Sequence, residues 1–122
     1  AIENLQWLCR TVLQPLREHL GIPVRITSGF RSPEVNAKIG GAKTSAHMRG
    51  LATDVKVGAP EPWDAPRFLR VIWDLELPID QAIGYAPHQG GHVHVGLSRP
   101  GRAPRRQFLW KDASGYAPWS PR

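Results

Sequence analysis

Apolar residues in the first twenty positions recur at the spacing of a helix. The repeating set is Leu5, Leu8, Cys9, Val12, Leu13, Leu16 and Leu20. Because Pro15 lacks a backbone donor, the pattern predicts one kinked helix or two helices over residues 2–20, with Gly21 as the stop. Cys9 belongs to the apolar set, and we expect it to be a small core residue rather than a nucleophile.

The rest of the pattern predicts short strands separated by helices. The predicted strands are residues 22–27, 52–57, 81–85 and 92–97, and the predicted helices are residues 32–41 and 64–75. Asp64 is the expected cap of the second of these helices, which buries Phe68, Leu69 and Ile72, with Trp73 as a further candidate. The last two strands are predicted to pair as an antiparallel hairpin.

The remaining residues, 98–122, are rich in Arg, Pro and Gly. They contain one possible strand, at residues 107–110, and we expect them to wrap the domain without a core of their own. The predicted fold class is therefore α+β, with a small antiparallel sheet and helices packed on one of its sides. A chain of 122 residues with 41% apolar composition is large enough for one core and too small for two, which predicts a single domain over residues 1–122.

Charge and cysteine content limit the possible partners, disulfides and metal sites. The net charge of +6 predicts an anionic partner, and nucleic acid and a bacterial envelope both fit it. The sequence has no helix-turn-helix, zinc-finger or aromatic RNA-binding signature, so we expect no nucleic acid partner. The single cysteine excludes an internal disulfide and a Cys-based zinc site. No apolar run approaches the length needed to cross a membrane, and we expect a monomer.

Two stretches of the sequence carry candidate metal ligands. His47 and Asp54 lie in one stretch, and His92 and His94 follow about forty residues later. Two imidazoles and one carboxylate, with a further His beside them, suit a hydrolytic zinc centre that keeps one coordination position open. An alternating strand places His92 and His94 on the same face, so both rings are expected to point into one cleft.

The arrangement of these residues resembles that of the zinc peptidoglycan peptidases. The similar features are the run Ser28-Gly29-Phe30-Arg31-Ser32, the pattern Ser-x-His-x-x-Gly-x-Ala-x-Asp over residues 45–54, and the final His-x-His. This family includes D-Ala-D-Ala carboxypeptidases, the dipeptidases of vancomycin resistance and phage endolysins that cut the peptide stem. The resemblance covers roughly residues 10–98.

The resemblance implies one zinc ion at the face of the sheet, held by His47, Asp54 and His94. The physics of this ligand set agrees, because two neutral imidazoles and one carboxylate leave the ion with a net positive charge that polarises a carbonyl. Arg31 matches the family arginine that contacts the substrate, and its planar fork suits a carboxylate or a peptide oxygen. Ser45 matches a serine near the substrate, although a hydroxyl that caps the loop explains it equally well.

The general base is the point at which the sequence departs from much of the family. Many members have Glu or Asp where this chain has Gly91, whereas members of the DD-carboxypeptidase type have a His at the position of His92. A nearby cation disfavours the protonated imidazole, so His92 is predicted to be the base at neutral pH and to pass a proton to the leaving amine. In the alternative, His92 only forms a hydrogen bond and Asp80 is the acid/base or orients an imidazole. His88 is expected to face solvent.

The resemblance implies a zinc-dependent peptidase that hydrolyses peptide bonds of the peptidoglycan stem or cross-link. A binding module that keeps the fold without catalysis is the alternative, but a purely structural zinc site tends to fill its fourth position with a protein ligand. The first twenty residues lack the features of a signal peptide. We therefore expect a phage or prophage lytic enzyme that is cytoplasmic until release, or a virion-associated one. The ligand set does not determine which bond is cut.

Overall fold

The computed structural model describes residues 2–21, 24–28, 50–57, 65–99 and 101–121, which form helices and one six-stranded sheet. The helical segments are α1 (Ile2–Leu8), a π-helical turn (Cys9–Leu13), α2 (Gln14–Leu20), α3 (Ala65–Asp74) and a 3-10 turn (Pro87–Gln89). The strands are β1 (Val24–Ser28), β2 (Ala52–Val57), β3 (Gln81–Tyr85), β4 (Val93–Gly96), β5 (Gln107–Asp112) and β6 (Gly115–Pro118).

These elements confirm the predicted α+β class. The predicted helix at residues 32–41 and the Asp64 cap lie outside the described residues. Among the helices of the described part of the chain, none has the length and apolar character needed to cross a membrane.

The first helical stretch changes its hydrogen bonding just before Pro15. The Gln14 N–H donates to the Cys9 carbonyl, five residues back, which defines the π-helical turn. The wider turn accommodates a proline ring that would crowd a regular α-helix. The predicted kink or break at Pro15 is therefore a π-helical turn. The register shift leaves Leu8 and Val12 buried but turns Cys9 outward. The predicted core position of Cys9 is therefore wrong.

The strands lie in the order β1-β2-β4-β3-β5-β6, and one pair differs from the predicted antiparallel sheet. β3 and β4 form the expected antiparallel hairpin, whereas β3 and β5 are parallel. The reason is the path of the chain after β4, in which residues 97–99 leave that strand and residues 101–106 cross the beginning of β3. Along this path the Arg106 N–H donates to the Ile79 carbonyl and the Gln107 N–H donates to the Asp80 carbonyl. The chain thus enters β5 on the far side of β3 and runs in the same direction.

The segment after β4 contributes two strands to the sheet, and its Phe108 side chain belongs to the core. The sequence predicted one possible strand at residues 107–110, and the structure has β5 and β6. Phe108 is only 5% exposed and lies 4.9 Å from Trp73 on α3, measured between ring centroids. The Arg106 guanidinium stacks over the Phe108 ring at 5.4 Å and donates to the Trp73 carbonyl at the end of α3. The last strands therefore share the core that the helices cover.

The two faces of the sheet have different surroundings. One face meets the helices, and its buried cluster includes Leu8, Val12, Leu16, Phe68, Leu69, Ile72, Val55, Ala82, Val93, Val95 and Phe108. Directly paired residues on neighbouring strands place their side chains on the same face, and alternate residues lie on the other. The opposite face, here called the outer face, carries Asp54, Tyr85, His94, Lys111 and Tyr116. The candidate chemistry thus lies away from the helices.

The path across the beginning of β3 is fixed by an ion pair between Asp80 and Arg105. The guanidinium donates from Nε and Nη2 to the two carboxylate oxygens at 3.0 and 2.9 Å, and the Arg105 backbone N–H adds a third bond at 3.1 Å. The side-chain hydrogen bonds lower the pKa of the Asp80 carboxyl below its usual value of 3.8, although burial works in the opposite direction. Asp80 therefore stays ionised.

Asp80→Asn is expected to lower the free energy of unfolding by up to about 1 kcal/mol at pH 7, a modest loss because Arg105 is 60% exposed and water screens the pair. Since the pKa of Asp80 is lowered in the folded state, this stabilisation is present above about pH 4 and is lost as the pH falls through the lowered value. Urea unfolding at pH 7 and at acid pH measures both effects. Asp74→Asn is the control, because Asp74 and Arg70 are more than 60% exposed and 3.8 Å apart. Equal losses in the two variants would contradict a special contribution from Asp80.

Candidate metal centre

A carboxylate and an imidazole meet where β2 and β4 lie side by side. Asp54 and His94 are directly paired in the antiparallel register, which brings their side chains together on the outer face. His94 Nδ1 and Asp54 Oδ1 are hydrogen-bonded at 3.0 Å, and the two side chains are 17% and 20% exposed. His94 Nε2 points elsewhere, since it lies 3.6 Å from where a Cβ on Gly96 would stand. Nδ1 is therefore the nitrogen that shares a site with the carboxylate.

His92 lies just before β4 and packs against an aromatic ring. Its imidazole stacks on Tyr85 with ring centroids 4.2 Å apart and planes 18° from parallel. On the loop before it, Gly90 has a φ of +110°, and a Cβ there would be 2.9 Å from His92 Nδ1. Only glycine satisfies both the backbone conformation and this close approach. The His92 ring is thus held in place by a strand on one side and a loop on the other.

Tyr85 lies on the same face of the sheet as Asp54 and His94 and stacks on His92. The strand register shows this, because Ile83 pairs with His94 and Tyr85 follows Ile83 by two residues. Burial raises the pKa of the Tyr85 phenol, and the Tyr116 hydroxyl at 3.5 Å and the negative charge of Asp54 raise it further, so Tyr85 stays protonated. The structure therefore brings Asp54, His92 and His94 to one side of the sheet.

The Asp54–His94 pair fits two positions of a tetrahedral zinc site. Ligand bonds of about 2.0–2.1 Å at the tetrahedral angle place two ligand atoms roughly 3.3 Å apart, close to the 3.0 Å observed. Carboxylate oxygen and neutral imidazole nitrogen are both ordinary zinc ligands. Within the described ranges, no group of three or more His, Cys, Asp or Glu side chains forms a complete site. His47, the third predicted ligand, lies outside those ranges, as do Arg31 and Ser45.

Asp80, the alternative acid/base, lies at a different place in the sheet. It precedes β3 at the end where Gln81 pairs with Gly96, and its carboxylate is bonded by Arg105. A general base needs a pKa near the operating pH, whereas that of Asp80 is lowered from an already acidic value. His88 is exposed on the 3-10 turn. Neither residue belongs to the group around Asp54.

Tyr85 is a site residue that the sequence analysis did not identify. The signal was present in the predicted hairpin, because the strands at residues 81–85 and 92–97 place Tyr85 opposite His92, and the Tyr85 N–H donates to the His92 carbonyl. An aromatic residue across from a candidate base is a natural packing partner for its ring. Lys111 and Tyr116 were also missed, since the tail was expected to contribute at most one strand.

The fold and this site together define an α+β structure with a carboxylate–imidazole pair on the outer face of its sheet. A family model described as Peptidase M15 matches residues 2–96. This is most of the 122 residues, and the chain belongs to the Peptidase M15 family. The resemblance noted in the sequence, to the family of zinc D-Ala-D-Ala carboxypeptidases and other peptidoglycan peptidases, is confirmed by this match together with the following relative.

One curated relative carries a more specific name. The chain is 42% identical over 48 residues to a zinc D-Ala-D-Ala carboxypeptidase from Streptomyces albus G. The match covers 38% of this chain and 19% of the relative, so it spans about a fifth of that protein's length.

Proposed function

We propose that this chain is a zinc-dependent peptidase that hydrolyses peptide bonds of the peptidoglycan stem or cross-link. The observation that carries the proposal is the 3.0 Å contact between Asp54 and His94 on neighbouring strands of a Peptidase M15 domain. The name of the Streptomyces relative supports both the metal and the substrate class. The net charge of +6 supports contact with an anionic cell wall, and a phage or prophage lytic enzyme is the setting we propose.

His47, Asp54 and His94 would hold one zinc ion, with His94 binding through Nδ1. Nδ1 is the ring nitrogen of His94 that lies 3.0 Å from Asp54. Metal ligands must be deprotonated, so zinc affinity is expected to fall at acid pH. When bound, the ion supplies Lewis acidity to the site.

His92 is the proposed proton carrier of the reaction. It would accept a proton from the attacking water and deliver it to the leaving amine. The support for this role is the fixed ring of His92 beside Tyr85, on the same face as Asp54. The engagement of Asp80 by Arg105 supports the choice of His92 over Asp80.

Arg31 and Ser45 are the proposed substrate contacts, and Arg31 provides a direct test. Arg31→Lys is expected to keep the fold and the zinc but to reduce turnover at least ~10-fold, the equivalent of about 1.4 kcal/mol in transition-state stabilisation. The reason is that a point charge does not reproduce a bidentate contact. Steady-state kinetics beside zinc content and thermal unfolding measure the effect. Wild-type kinetics in this variant would reassign Arg31 to an ordinary surface role.

Purified protein incubated with cell-wall sacculi tests the proposed activity. We expect soluble muropeptides or released D-Ala, loss of both after chelation, and recovery when zinc is returned. Mass spectrometry of the products distinguishes D-Ala-D-Ala carboxypeptidase, DD-endopeptidase and L-Ala-D-Glu endopeptidase action. Binding to sacculi without any product would contradict the peptidase and favour a catalytically inactive binding module.

A further inference from the structure

Three side chains form a row on the outer face beside the candidate metal centre. Tyr85 on β3 pairs with Lys111 on β5, which in turn pairs with Tyr116 on β6. The two tyrosine hydroxyls are 3.5 Å apart, and the Lys111 ammonium lies 5.5 Å from the centroid of the Tyr116 ring. We call Tyr85, Lys111 and Tyr116 the basic ledge. Lys111 and Tyr116 lie beyond residue 96, where the family match ends, so the ledge is mostly built by the last two strands.

The basic ledge has hydrogen-bond donors that are not all occupied by contacts within the described structure. The Lys111 ammonium has three N–H donors and, among the described residues, gives one hydrogen bond, to the Asp112 carbonyl at 2.9 Å. None of the salt bridges among the described residues involves Lys111. The Asp112 carboxylate instead accepts the Ser114 N–H in the turn before β6. Tyr116 is 58% exposed, so its ring is available for contact with a ligand.

The position of the ledge relates it to a peptide that reaches the metal centre. Lys111 lies two strands from His94 across the sheet and one side-chain row further along it. With strands about 4.8 Å apart and about 3.3 Å per residue, this separation is roughly 12 Å. An extended peptide covers that distance in about three to four residues. A substrate cleaved beside His94 therefore reaches the ledge within one short peptide.

We propose that the basic ledge binds a free carboxylate of the peptide substrate, about three to four residues from the cleaved bond. This inference rests on the proposed peptidase function and specifies its substrate class as acidic peptides. The ammonium of Lys111 supplies the charge, and the exposed Tyr116 ring covers the aliphatic part of the ligand. The two tyrosine hydroxyls use one O–H for their mutual contact, and the other O–H supplies a further donor. Peptides in which this carboxylate is amidated are poor ligands for the ledge.

Two synthetic stem peptides that differ only in this carboxylate, free in one and a carboxamide in the other, test the proposal. KM and kcat are measured for the wild type, Lys111→Gln, Lys111→Arg and Arg17→Gln, and dissociation constants of both peptides are measured by calorimetry. The wild type is expected to prefer the free carboxylate by about fivefold in KM, the scale of an exposed ion pair. Lys111→Gln should remove the preference with kcat unchanged, and Lys111→Arg should keep most of it. Arg17→Gln, which removes the same charge from exposed α2 on the other side of the sheet, should behave as the wild type.

The outcomes separate this proposal from the peptidase proposal. Hydrolysis without a carboxylate preference, or with a preference that remains in Lys111→Gln, contradicts carboxylate binding by the basic ledge but is consistent with the proposed peptidase activity. A preference in the dissociation constants that Lys111→Gln abolishes, without hydrolysis of either peptide, supports the ledge and contradicts the peptidase. Failure to bind or cleave either peptide overturns both.

Discussion

His94→Ala is expected to abolish stoichiometric zinc binding and to reduce peptide hydrolysis by ~10³-fold or more. The imidazole supplies the nitrogen that lies 3.0 Å from the Asp54 carboxylate, and an Ala leaves no replacement. Loss of a metal that contributes several kcal/mol of transition-state stabilisation corresponds to a rate loss of this size, at about 1.36 kcal/mol for each tenfold. Zinc content after dialysis and hydrolysis of a stem peptide measure the two losses.

His88→Ala is the matched control for His94→Ala. It also removes one imidazole, but from an exposed position on the 3-10 turn Pro87–Gln89. Zinc content and turnover are expected to match the wild type in this control. Full zinc retention with unchanged affinity in His94→Ala would remove His94 from the ligand set.

His92→Ala is expected to keep the zinc while hydrolysis falls by roughly 10²–10⁴-fold, the usual contribution of general acid–base catalysis. The predicted ligands are intact in this variant, so the zinc content should stay at the wild-type level while the rate falls. In His94→Ala, by contrast, both should fall. The pH profile of kcat/KM should also change, because an imidazole base produces an acid limb that the variant lacks. Kinetics across pH 5–9 with parallel zinc analysis give both results.

The possible results for His92→Ala distinguish three roles. Loss of zinc together with activity would make His92 a ligand or a residue that orients one. Near-normal activity with full zinc would exclude His92 as the base. Tyr85→Phe is a useful companion, because it keeps the ring that stacks on His92 at 4.2 Å but removes the hydroxyl that contacts Tyr116. A loss of activity in His92→Ala that Tyr85→Phe does not show would assign the catalytic effect to the His92 imidazole and not to the Tyr85 hydroxyl.

Local patterns in the sequence were sufficient for most of the described elements. Strand β2 and the β3–β4 hairpin follow from alternation and turn residues, and α3 follows from its apolar stripe. The parallel partner of β3 does not follow from local patterns, because strand direction depends on how the chain passes from β4 to β5 around the beginning of β3. That route is fixed by contacts such as Asp80 with Arg105, which join residues 25 positions apart. Spacing rules contain no information about such pairs.

The candidate site was predictable to a similar extent. Asp54 and His94 were selected as ligands through the family resemblance, and their pairing across β2 and β4 gives a geometric basis for that prediction. Cys9 was misplaced because a π-helical turn changes the helical register without a clear sequence signal. Lys111 and Tyr116 depend on β5 and β6 joining the sheet, which no local periodicity specifies. The roles of His47, Arg31 and Ser45 stay predictions from the resemblance.

The position of β3 between β4 and β5 has a consequence for folding kinetics. The β3–β4 hairpin contains only local contacts and can form once Gly96 has been synthesised, but the other edge of β3 stays unpaired until β5 follows. A row of unpaired backbone donors and acceptors on a buried apolar strand is a template for association with other chains. Non-local parallel pairing is also intrinsically slow. The arrival of residues 107–112 therefore sets how long each new chain exposes an aggregation-prone edge.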